Sequence, residues 1–308
     1  MRKKVFVVLN PSAGRIEVDA VRHAIKAHFQ RKGWEYELYE TTGEEHDQDK
    51  IKDATKRGYT YFIASGGDGT VSNVAECLVG KDIPLGILPM GTGNGIARAI
   101  SIPLELDEAL EVITLEGGIH NLDAMKLEDR YFFLMIGIGL SAKALRQSKV
   151  DQKRLWGRLY YILITMRTYF GFHPHRFQME IDGVHKTTRG SEIMLLNCGT
   201  IGDPILQWAE DIRSNDGEID IYSIRAKTIY DTFRLMWRVI TGQERKDASI
   251  STFRMKHKAY IQTNKPLHVQ GDGDFIQHTP VEVYVVPQAV KVLVPSSVAK
   301  GPDKRSFH

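Results

Sequence analysis

Three times in its first hundred residues, this chain places a turn of small residues directly after a short apolar run. The apolar runs cover residues 5–9, 61–64 and 84–88, and the turns cover residues 10–14, 65–70 and 90–95. Apolar residues at helical spacing follow the first turn, and a further helix is predicted from about residue 71 to residue 79. This alternation of strand, turn and helix predicts a doubly wound, Rossmann-like parallel sheet with functional loops at the carboxyl ends of its strands.

The pattern changes after about Asp123, where strand-like runs dominate the sequence. They cover residues 131–136, 177–181, 192–197, 218–224, 259–263 and 281–286. Turn signals such as Asp182-Gly183 separate some of these runs, which predicts a mainly antiparallel β domain that carries a few helices. We therefore expect an α/β domain over residues 1–123 and a β-rich domain over residues 124–299. A return of the terminal segment to the first domain is kept as an alternative.

Composition narrows the classes of protein to which the chain can belong. Only Cys77 and Cys198 are present, which excludes a cysteine-based zinc site and a disulfide framework. The net charge of +3 is too close to neutral for a dedicated nucleic-acid binder. Because no signal peptide opens the chain and no apolar run reaches about eighteen residues, we expect a soluble, cytoplasmic protein.

Charge is divided unevenly between the two halves. Residues 1–123 hold 14 basic and 19 acidic side chains, whereas the remainder holds 27 and 19. The basic second half is compatible with peripheral contact at an anionic inner membrane face, and scattered solvated lysines explain it equally well. Residues 155–170 and 232–240 combine apolar and aromatic residues at helical spacing, and basic residues flank or interleave the first of these segments. They predict helices that lie on such a membrane or pack against the β domain.

The three turns favour phosphate binding. Glycines let the backbone approach a ligand closely, so that successive N–H groups can converge on phosphate oxygens, and each following helix adds the positive end of its dipole. A Walker A pattern and a well-spaced G-x-G-x-x-G are both missing from the sequence, which disfavours a P-loop NTPase and an ordinary Rossmann dehydrogenase. Asp68 would repel phosphate unless a cation or hydroxyl intervenes, and a magnesium ion on nucleotide phosphates resolves this conflict. Alternatively, Asp68 caps the following helix at Thr70–Val71, and both roles are compatible.

Several motifs, taken together, carry a resemblance to a known family. Asn10-Pro11-x-x-Gly14, Gly66-Gly67-Asp68-Gly69-Thr70 and Pro89-x-Gly91-Thr92-Gly93-Asn94 resemble three ordered signatures of the diacylglycerol kinase catalytic-domain superfamily, which includes bacterial soluble lipid kinases and sphingosine kinases. Ala209-Glu210-Asp211 ahead of Asn215-Asp216-Gly217, and Gly271-Asp272-Gly273-Asp274, resemble two later signatures. The likeness extends from about residue 3 to residue 295.

The resemblance implies an ATP-dependent lipid kinase that uses Mg²⁺ and binds ATP between its two domains. The γ-phosphoryl group would pass to the hydroxyl of a lipid, either diacylglycerol-like or sphingoid-base-like. A homodimer is left open, and no nucleic acid is implied. The residues implied at the nucleotide site are Asn10, Pro11, Ser12, Gly14, Thr41, Gly66, Gly67, Asp68, Gly69, Thr70, Asn73, Gly91, Thr92, Gly93 and Asn94. Thr42 is an equal candidate for the nucleotide-contacting threonine that the resemblance places at Thr41.

The resemblance also implies a structural magnesium site and the catalytic acids. Asp216 would bind the metal with the carbonyl groups of Arg213 and Glu218, and Asp123 would support this network. From the residues alone, the segment around Asp216 is a hairpin turn. Asp274 is implied as the proton acceptor from the lipid hydroxyl, with Asp68 as its catalytic partner at the phosphates.

Two positions depart from the family pattern. Gly95 stands where bacterial diacylglycerol-type kinases have an aspartate, which favours a sphingosine-like or unusual lipid, and Asp274 replaces a glutamate that is one methylene longer. These departures keep a catalytically weak nucleotide- or lipid-binding regulator open as an alternative. An NAD kinase-like enzyme is the second alternative, and it is disfavoured because no acidic neighbour follows Asn94.

Overall fold

The computed structural model describes residues 3–14, 17–43, 46–140, 142, 174–199, 212–225 and 249–299. The chain forms two compact units. One comprises residues 1–124, 202–204 and 287–308, and the other comprises residues 125–201 and 205–286. The predicted amphipathic segments over residues 155–170 and 232–240, and the motif at residues 209–211, lie outside the described residues.

The first unit is built on a parallel sheet with four strands in the order β2-β1-β3-β4. The last part of a long strand, β16 (Val281–Val294), pairs in parallel with β4. The elements in chain order are β1 Lys4–Leu9, α1 Val18–Lys32, β2 Glu35–Glu40, α2 His46–Ala54, β3 Tyr61–Gly66, α3 Asp68–Leu78, β4 Leu85–Pro89, α4 Gly95–Ala99 and α5 Leu106–Thr114. All residues of β3 and β4 are buried, as expected for parallel strands covered on both faces.

Helix packing follows from the apolar stripes in the sequence. The buried face of α1 carries Val21, Ile25 and Phe29, and this helix packs beside α5, whereas α2 packs beside α3. Helix α1 ends at Lys32 and is capped by Gly33, whose left-handed backbone (φ 65°) lets its N–H donate to the Gln30 carbonyl. Since the chain moves from β1 outward to β2 and then returns past β1 to β3, the winding direction reverses between β1 and β3. Such a reversal opens a crevice at the carboxyl ends of the two strands.

The second unit contains two antiparallel sheets that share one core. The first sheet has the order β12-β11-β10-β7-β14-β15, and in the second, β13 lies between β16 and β8, with β9 beyond β8. Two strands are divided between the units, β5 Gly118–Leu127 after Ala124 and β16 Val281–Val294 after Val286. The other strands of the second unit are β6 Arg130–Phe132, β7 Met135–Gly139, β8 His175–Ile181, β9 Val184–Gly190, β10 Glu192–Leu196, β11 Ile219–Ile224, β12 Ile250–Met255, β13 Lys258–Thr263, β14 His268–Gly271 and β15 Asp274–His278. Buried residues of both sheets form a single apolar cluster that includes Ile136, Ile193, Phe177 and Val283.

The predicted fold class is confirmed, with an α/β unit first and a mainly antiparallel β unit after it. Two element boundaries differ from the prediction. The predicted strand over residues 131–136 is divided into β6 and β7, and α3 begins at Asp68 rather than near residue 71. Helix α3 can begin early because Gly67 is extended (ψ −174°) and an acidic residue in the first turn is favoured by the helix dipole.

No helix among the described residues combines the length and the apolar character needed to cross a membrane.

Candidate functional site

The loops after β1, β3 and β4 meet at one edge of the first unit's sheet. The Asn10 N–H donates to the Ser65 carbonyl at 2.9 Å, and the Met90 N–H donates to the Gly66 carbonyl at 2.9 Å. Beside them, the Thr41 N–H donates to the Leu9 carbonyl at 2.9 Å. The loops that the sequence marks separately therefore form one continuous surface at the point where the winding direction reverses.

Asn10 shapes the first loop and joins it to the second. Its Nδ2 donates to Thr70 Oγ1 at 3.1 Å, and its Oδ1 accepts the Ser12 N–H at 2.9 Å. The amide thus satisfies a main-chain donor within its own turn while it fixes the first turn of α3. An aspartate could accept from Ser12 but could not donate to a hydroxyl in this way.

Glycine is required where the loops approach one another. Gly14 has φ +109°, and a Cβ there would lie 2.0 Å from the Met90 carbonyl oxygen. A Cβ on Gly91 would lie 2.7 Å from the Gly67 Cα. The loops therefore pack backbone against backbone, with main-chain groups rather than side chains at the shared surface.

The third loop is closed by Asn94. This residue is in the left-handed region (φ 52°), its Oδ1 accepts the Gly91 N–H and its Nδ2 donates to the Gly91 carbonyl, both at 2.9 Å. Arg98 Nε donates to the Gly93 carbonyl at 2.9 Å. The loop is therefore fixed in shape before any ligand binds.

Asp68 is half-buried and is the first residue of α3, so it does not cap that helix as one interpretation of the sequence proposed. Its Oδ1 instead accepts the Ile96 N–H of α4 at 3.1 Å, which connects the second loop to the third. A carboxylate beside three backbone-lined loops has the oxygen-donor chemistry for magnesium carried by nucleotide phosphates, since magnesium is usually bound through one or two carboxylates plus phosphates and water.

The remaining predicted nucleotide-site residues lie on or next to this surface of the same unit. Pro11, Ser12, Gly69, Asn73 and Thr92 are exposed. The Thr42 hydroxyl donates to Asp47 at 3.4 Å, and Asp47 also accepts main-chain N–H groups from Thr42 and Gly43. These bonds give the Thr42 side chain a structural role and leave Thr41 as the better candidate of the two.

The predicted metal ligands do not form a cluster of acidic side chains. Asp216 Oδ1 accepts the Glu218 N–H at 3.0 Å, as in a simple turn, and the Glu218 carboxylate pairs with Lys256 at 3.0 Å and Arg254 at 3.2 Å. Lys256, and to a smaller extent Arg254, hold the pKa of the Glu218 carboxyl below its usual range, against the opposing effect of burial.

The rest of the predicted metal network is divided between the units. Arg213 is exposed in the second unit, whereas Asp123 is fully buried in the first, where its Oδ1 accepts the Gln288 N–H at 2.7 Å. Among the described residues, no group of three or more histidine, cysteine, aspartate or glutamate side chains is arranged to hold a metal ion. One carboxylate with main-chain carbonyls is still a set of hard oxygen donors that suits magnesium, so the site at Asp216 stays a prediction.

Asp274 lies in the second unit as the first residue of the edge strand β15, and it is exposed. In the described part of the chain, no hydrogen bond or ion pair restrains its carboxylate. The turn before it is formed by Asp272 and Gly273, both at positive φ. The sequence motifs gave Asp272 no role, although an Asp-Gly pair between two strand-like runs marks such a turn.

Comparisons with known proteins cover almost the whole chain. Residues 4–127 match the family model described as the diacylglycerol kinase catalytic domain, and residues 135–294 match the YegS C-terminal NAD kinase beta sandwich-like domain. The chain is 27% identical over 305 residues to a diacylglycerol kinase of Mycobacterium tuberculosis, covering 95% of each chain. It is 25% identical over 307 residues to a diacylglycerol kinase of Bacillus subtilis, covering 98% and 99% of the two chains.

A solved structure has the same fold. The crystal structure of a diacylglycerol kinase from Bacillus anthracis superposes with a TM-score of 0.77 over 96% of this chain and 98% of the other, at 22% identity. This likeness supports the architecture of the two units described above.

Proposed function

Because this chain belongs to the diacylglycerol kinase catalytic-domain superfamily, we propose that it transfers the γ-phosphoryl group of ATP to the hydroxyl group of a lipid. The observation that carries this proposal is the convergence of three glycine-containing loops at the carboxyl edge of one parallel sheet. The loops present main-chain groups, and α3 adds the positive end of its dipole, so the surface suits the triphosphate of a nucleotide.

The predicted loop residues have different roles in the binding of ATP. Asn10, Gly14 and Thr70 shape the surface that receives the phosphates, and Asn94 fixes the loop after β4. Asp68 would hold the magnesium ion that accompanies ATP, and such an ion would supply charge neutralisation at the phosphates. The Ile96 N–H keeps the Asp68 carboxylate in place.

Asp274 serves as the proton acceptor in this proposal. The lipid oxygen forms a bond to the γ-phosphorus while the bond from that phosphorus to the β,γ-bridging oxygen breaks, and ADP leaves. The hydroxyl proton passes to the Asp274 carboxylate. A general base of this kind contributes typically ~10²–10⁴-fold to the rate.

The acceptor is proposed to be a diacylglycerol or a sphingoid base. Relatives named diacylglycerol kinase favour the first, and Gly95, the first residue of α4, favours the second. Either lipid would be reached from the cytoplasm at an anionic membrane, where the basic second half of the sequence would assist docking. Co-sedimentation with phosphatidylglycerol vesicles should weaken as the salt concentration rises from 0.1 M to 1 M, since the Debye length falls from ~10 Å to ~3 Å.

The test is transfer of radiolabelled γ-phosphate from ATP to three separate acceptors, dioleoylglycerol, sphingosine and NAD. A labelled lipid supports the proposal and identifies the substrate class. Labelled NADP would assign the chain to NAD kinase chemistry. Binding of ATP without any labelled product would identify a nucleotide-binding regulator. The Asp68→Asn variant is the control for background transfer.

A further inference from the structure

Two Asp-Gly turns in the second unit share one arrangement that the proposed chemistry does not explain. Asp182-Gly183 connects β8 to β9, and Asp272-Gly273 connects β14 to β15. All four residues have positive φ, at 49°, 83°, 48° and 97° in chain order. A two-residue hairpin of this kind favours Asn-Gly as well as Asp-Gly, so the turn alone does not require a carboxylate.

Each carboxylate binds three successive main-chain N–H groups of a distant connection between strands. For Asp272, the Phe133 N–H reaches Oδ2 at 2.8 Å, and the N–H groups of Leu134 and Met135 reach Oδ1 at 2.9 Å. For Asp182, the Lys256 N–H reaches Oδ2 at 2.7 Å, and the next two N–H groups reach Oδ1 at 2.9 Å. The order of donors and acceptors is the same at the two sites.

The surrounding strands also correspond. Residues 133–135 lead into β7, which pairs with β14, and residues 256–258 lead into β13, which pairs with β8. The Asp272 N–H donates to the Met135 carbonyl and the Asp182 N–H donates to the Lys258 carbonyl, both at 3.0 Å. At the end of each antiparallel strand pair, the aspartate therefore bonds the neighbouring strand through its main-chain N–H and through its carboxylate.

The two sites differ in burial and in the residue that comes after each turn. The three donors at Asp272 are buried, whereas those at Asp182 are exposed. The carbonyl groups of the buried segment are bound as well, since Asn197 Nδ2 donates to the Phe133 carbonyl at 2.8 Å and the Asn197 N–H donates to the Leu134 carbonyl at 3.0 Å. Residues 133–135 are therefore fixed by hydrogen bonds between their N–H groups and Asp272 and between their carbonyl groups and Asn197. Because Asp272 belongs to the β14–β15 turn, the same bonds fix the position of that turn.

The residue after this turn is Asp274, whose carboxylate no hydrogen bond among the described residues restrains. Its position is set by its own main chain, which pairs with Gly271 and continues from Gly273. The Gly273 N–H donates to Gln270 Oε1 at 3.1 Å, which adds a second restraint on the same turn. We propose that Asp272 is a positioning residue, whose carboxylate holds the β14–β15 turn so that Asp274 faces the acceptor hydroxyl. This inference rests on the proposed kinase function.

The Asp272 carboxylate already accepts three main-chain N–H groups, so it suits a holding role better than proton acceptance. An asparagine at this position would keep the turn, and its Oδ1 could still accept two N–H groups, but its NH₂ group would face the Phe133 N–H. The turn would then shift by a fraction of an ångström to about 1 Å, and misplacement of that size can reduce a rate by ~10²-fold.

The experiment compares Asp272→Asn with Asp182→Asn in the full chain, measuring γ-phosphate transfer to whichever of dioleoylglycerol and sphingosine the wild-type chain labels. We expect Asp272→Asn to lower kcat by ~10²-fold with KM for ATP changed less than about threefold. Asp182→Asn should keep kcat within about threefold of wild type, because its turn leads to no residue with a proposed role. Thermal unfolding checks that both variants fold.

A double-mutant cycle separates positioning from general damage to the unit. If Asp272 acts through Asp274, adding Asp272→Asn to Asp274→Asn should lower kcat by less than about threefold further. A further loss near ~10²-fold would assign Asp272 a separate role and overturn the proposal. Equal kcat losses in Asp272→Asn and Asp182→Asn, or full activity of Asp272→Asn, would also overturn it. Absence of transfer by the wild-type chain to every acceptor would instead overturn the proposed function itself.

Discussion

Asp68 combines two separable properties, a hydrogen bond and a charge. The bond from Ile96 N–H joins α3 to α4 within the first unit, and it needs only an acceptor oxygen. The charge lies beside loops that are lined by main-chain groups and suited to phosphate. In the proposed function, the charge would bind magnesium, so the two properties should respond differently to substitution.

We predict that Asp68→Asn lowers kcat by at least ~10²-fold while the melting temperature changes by less than about 2 °C, because asparagine can still accept the Ile96 N–H. Asp68→Ala should lose activity equally and also lose ~1 kcal/mol of stability with the hydrogen bond. Phosphate transfer and calorimetry on both variants provide the measurements. Near-normal turnover by Asp68→Asn would remove the metal role from this residue.

The side chain of Asp274 is shorter than the glutamate of the family pattern, and its carboxylate reaches ~1.5 Å less far. Asp274→Asn should lower kcat by ~10²–10⁴-fold and leave KM for ATP nearly unchanged, since the loops proposed to bind ATP belong to the other unit. Asp274→Glu is the more informative change. Retained or improved kcat would mean that the longer acid reaches the same hydroxyl, whereas a large loss would mean that the site is shaped around aspartate. Native kcat in both variants would exclude Asp274 as the base.

At the scale of elements, the surface proposed to bind the nucleotide results from the order of the strands. The loops after β1 and β3 are 50 or more residues apart in sequence, yet they are neighbours because β1 and β3 pair in parallel, with Leu9 opposite Ser65. Only backbone atoms separate the loops at Gly14 and Gly91. Any side chain at these points would push the loops apart, and the phosphate surface would lose its shape.

We predict that Gly14→Ala raises KM for ATP by ~10-fold or more, because its Cβ would overlap the Met90 carbonyl oxygen and its φ of +109° is strained for alanine. Gly33→Ala is the matched control, since Gly33 also has positive φ but no atom lies within 4 Å of its Cβ position. Both variants should lose ~1 kcal/mol of stability from backbone strain. If Gly33→Ala weakened ATP binding as much as Gly14→Ala, the effect would reflect stability rather than loop geometry.

At the scale of the whole molecule, several carboxyl groups of both units are stabilised in their charged form. The Asp47, Glu116, Asp182 and Glu218 carboxyls all have pKa values below their usual range. For Asp182, burial acts in the opposite direction, and the three main-chain N–H groups outweigh it. A carboxyl whose pKa is lower in the folded state stabilises the fold above its unfolded pKa, and this stability is lost as the pH falls through the folded pKa.

The melting temperature should therefore fall as the pH decreases below ~4.5, where unfolded glutamates begin to take up protons before the folded ones do. Burial also lowers the pKa of His120 from 6.5, so a smaller loss should begin near that pH. The difference in melting temperature between wild type and Asp182→Asn should be largest at pH 7 and shrink below pH 3.8, the ordinary value for aspartate. A difference that stayed constant from pH 7 to pH 3 would show that the Asp182 charge does not stabilise the fold.

The class of the two units and the residues of the three loops could be predicted from the amino-acid sequence alone. Apolar runs, small turns and helical spacing are local patterns, and each predicts its own element without knowledge of the others. The same holds for the motifs that resemble the diacylglycerol kinase superfamily, and the family-model matches confirm that resemblance.

The partners of the acidic side chains, in contrast, depend on the tertiary structure. Asp68 binds an N–H group 28 residues away, Asp182 binds groups 74 to 76 residues away and Asp272 binds groups 137 to 139 residues away. These bonds go to main-chain N–H groups, which every residue except proline carries, so the partner segments have no distinguishing sequence. The division of the predicted strand into β6 and β7 has the same cause, because the N–H groups of Phe133 and Leu134 turn toward Asp272.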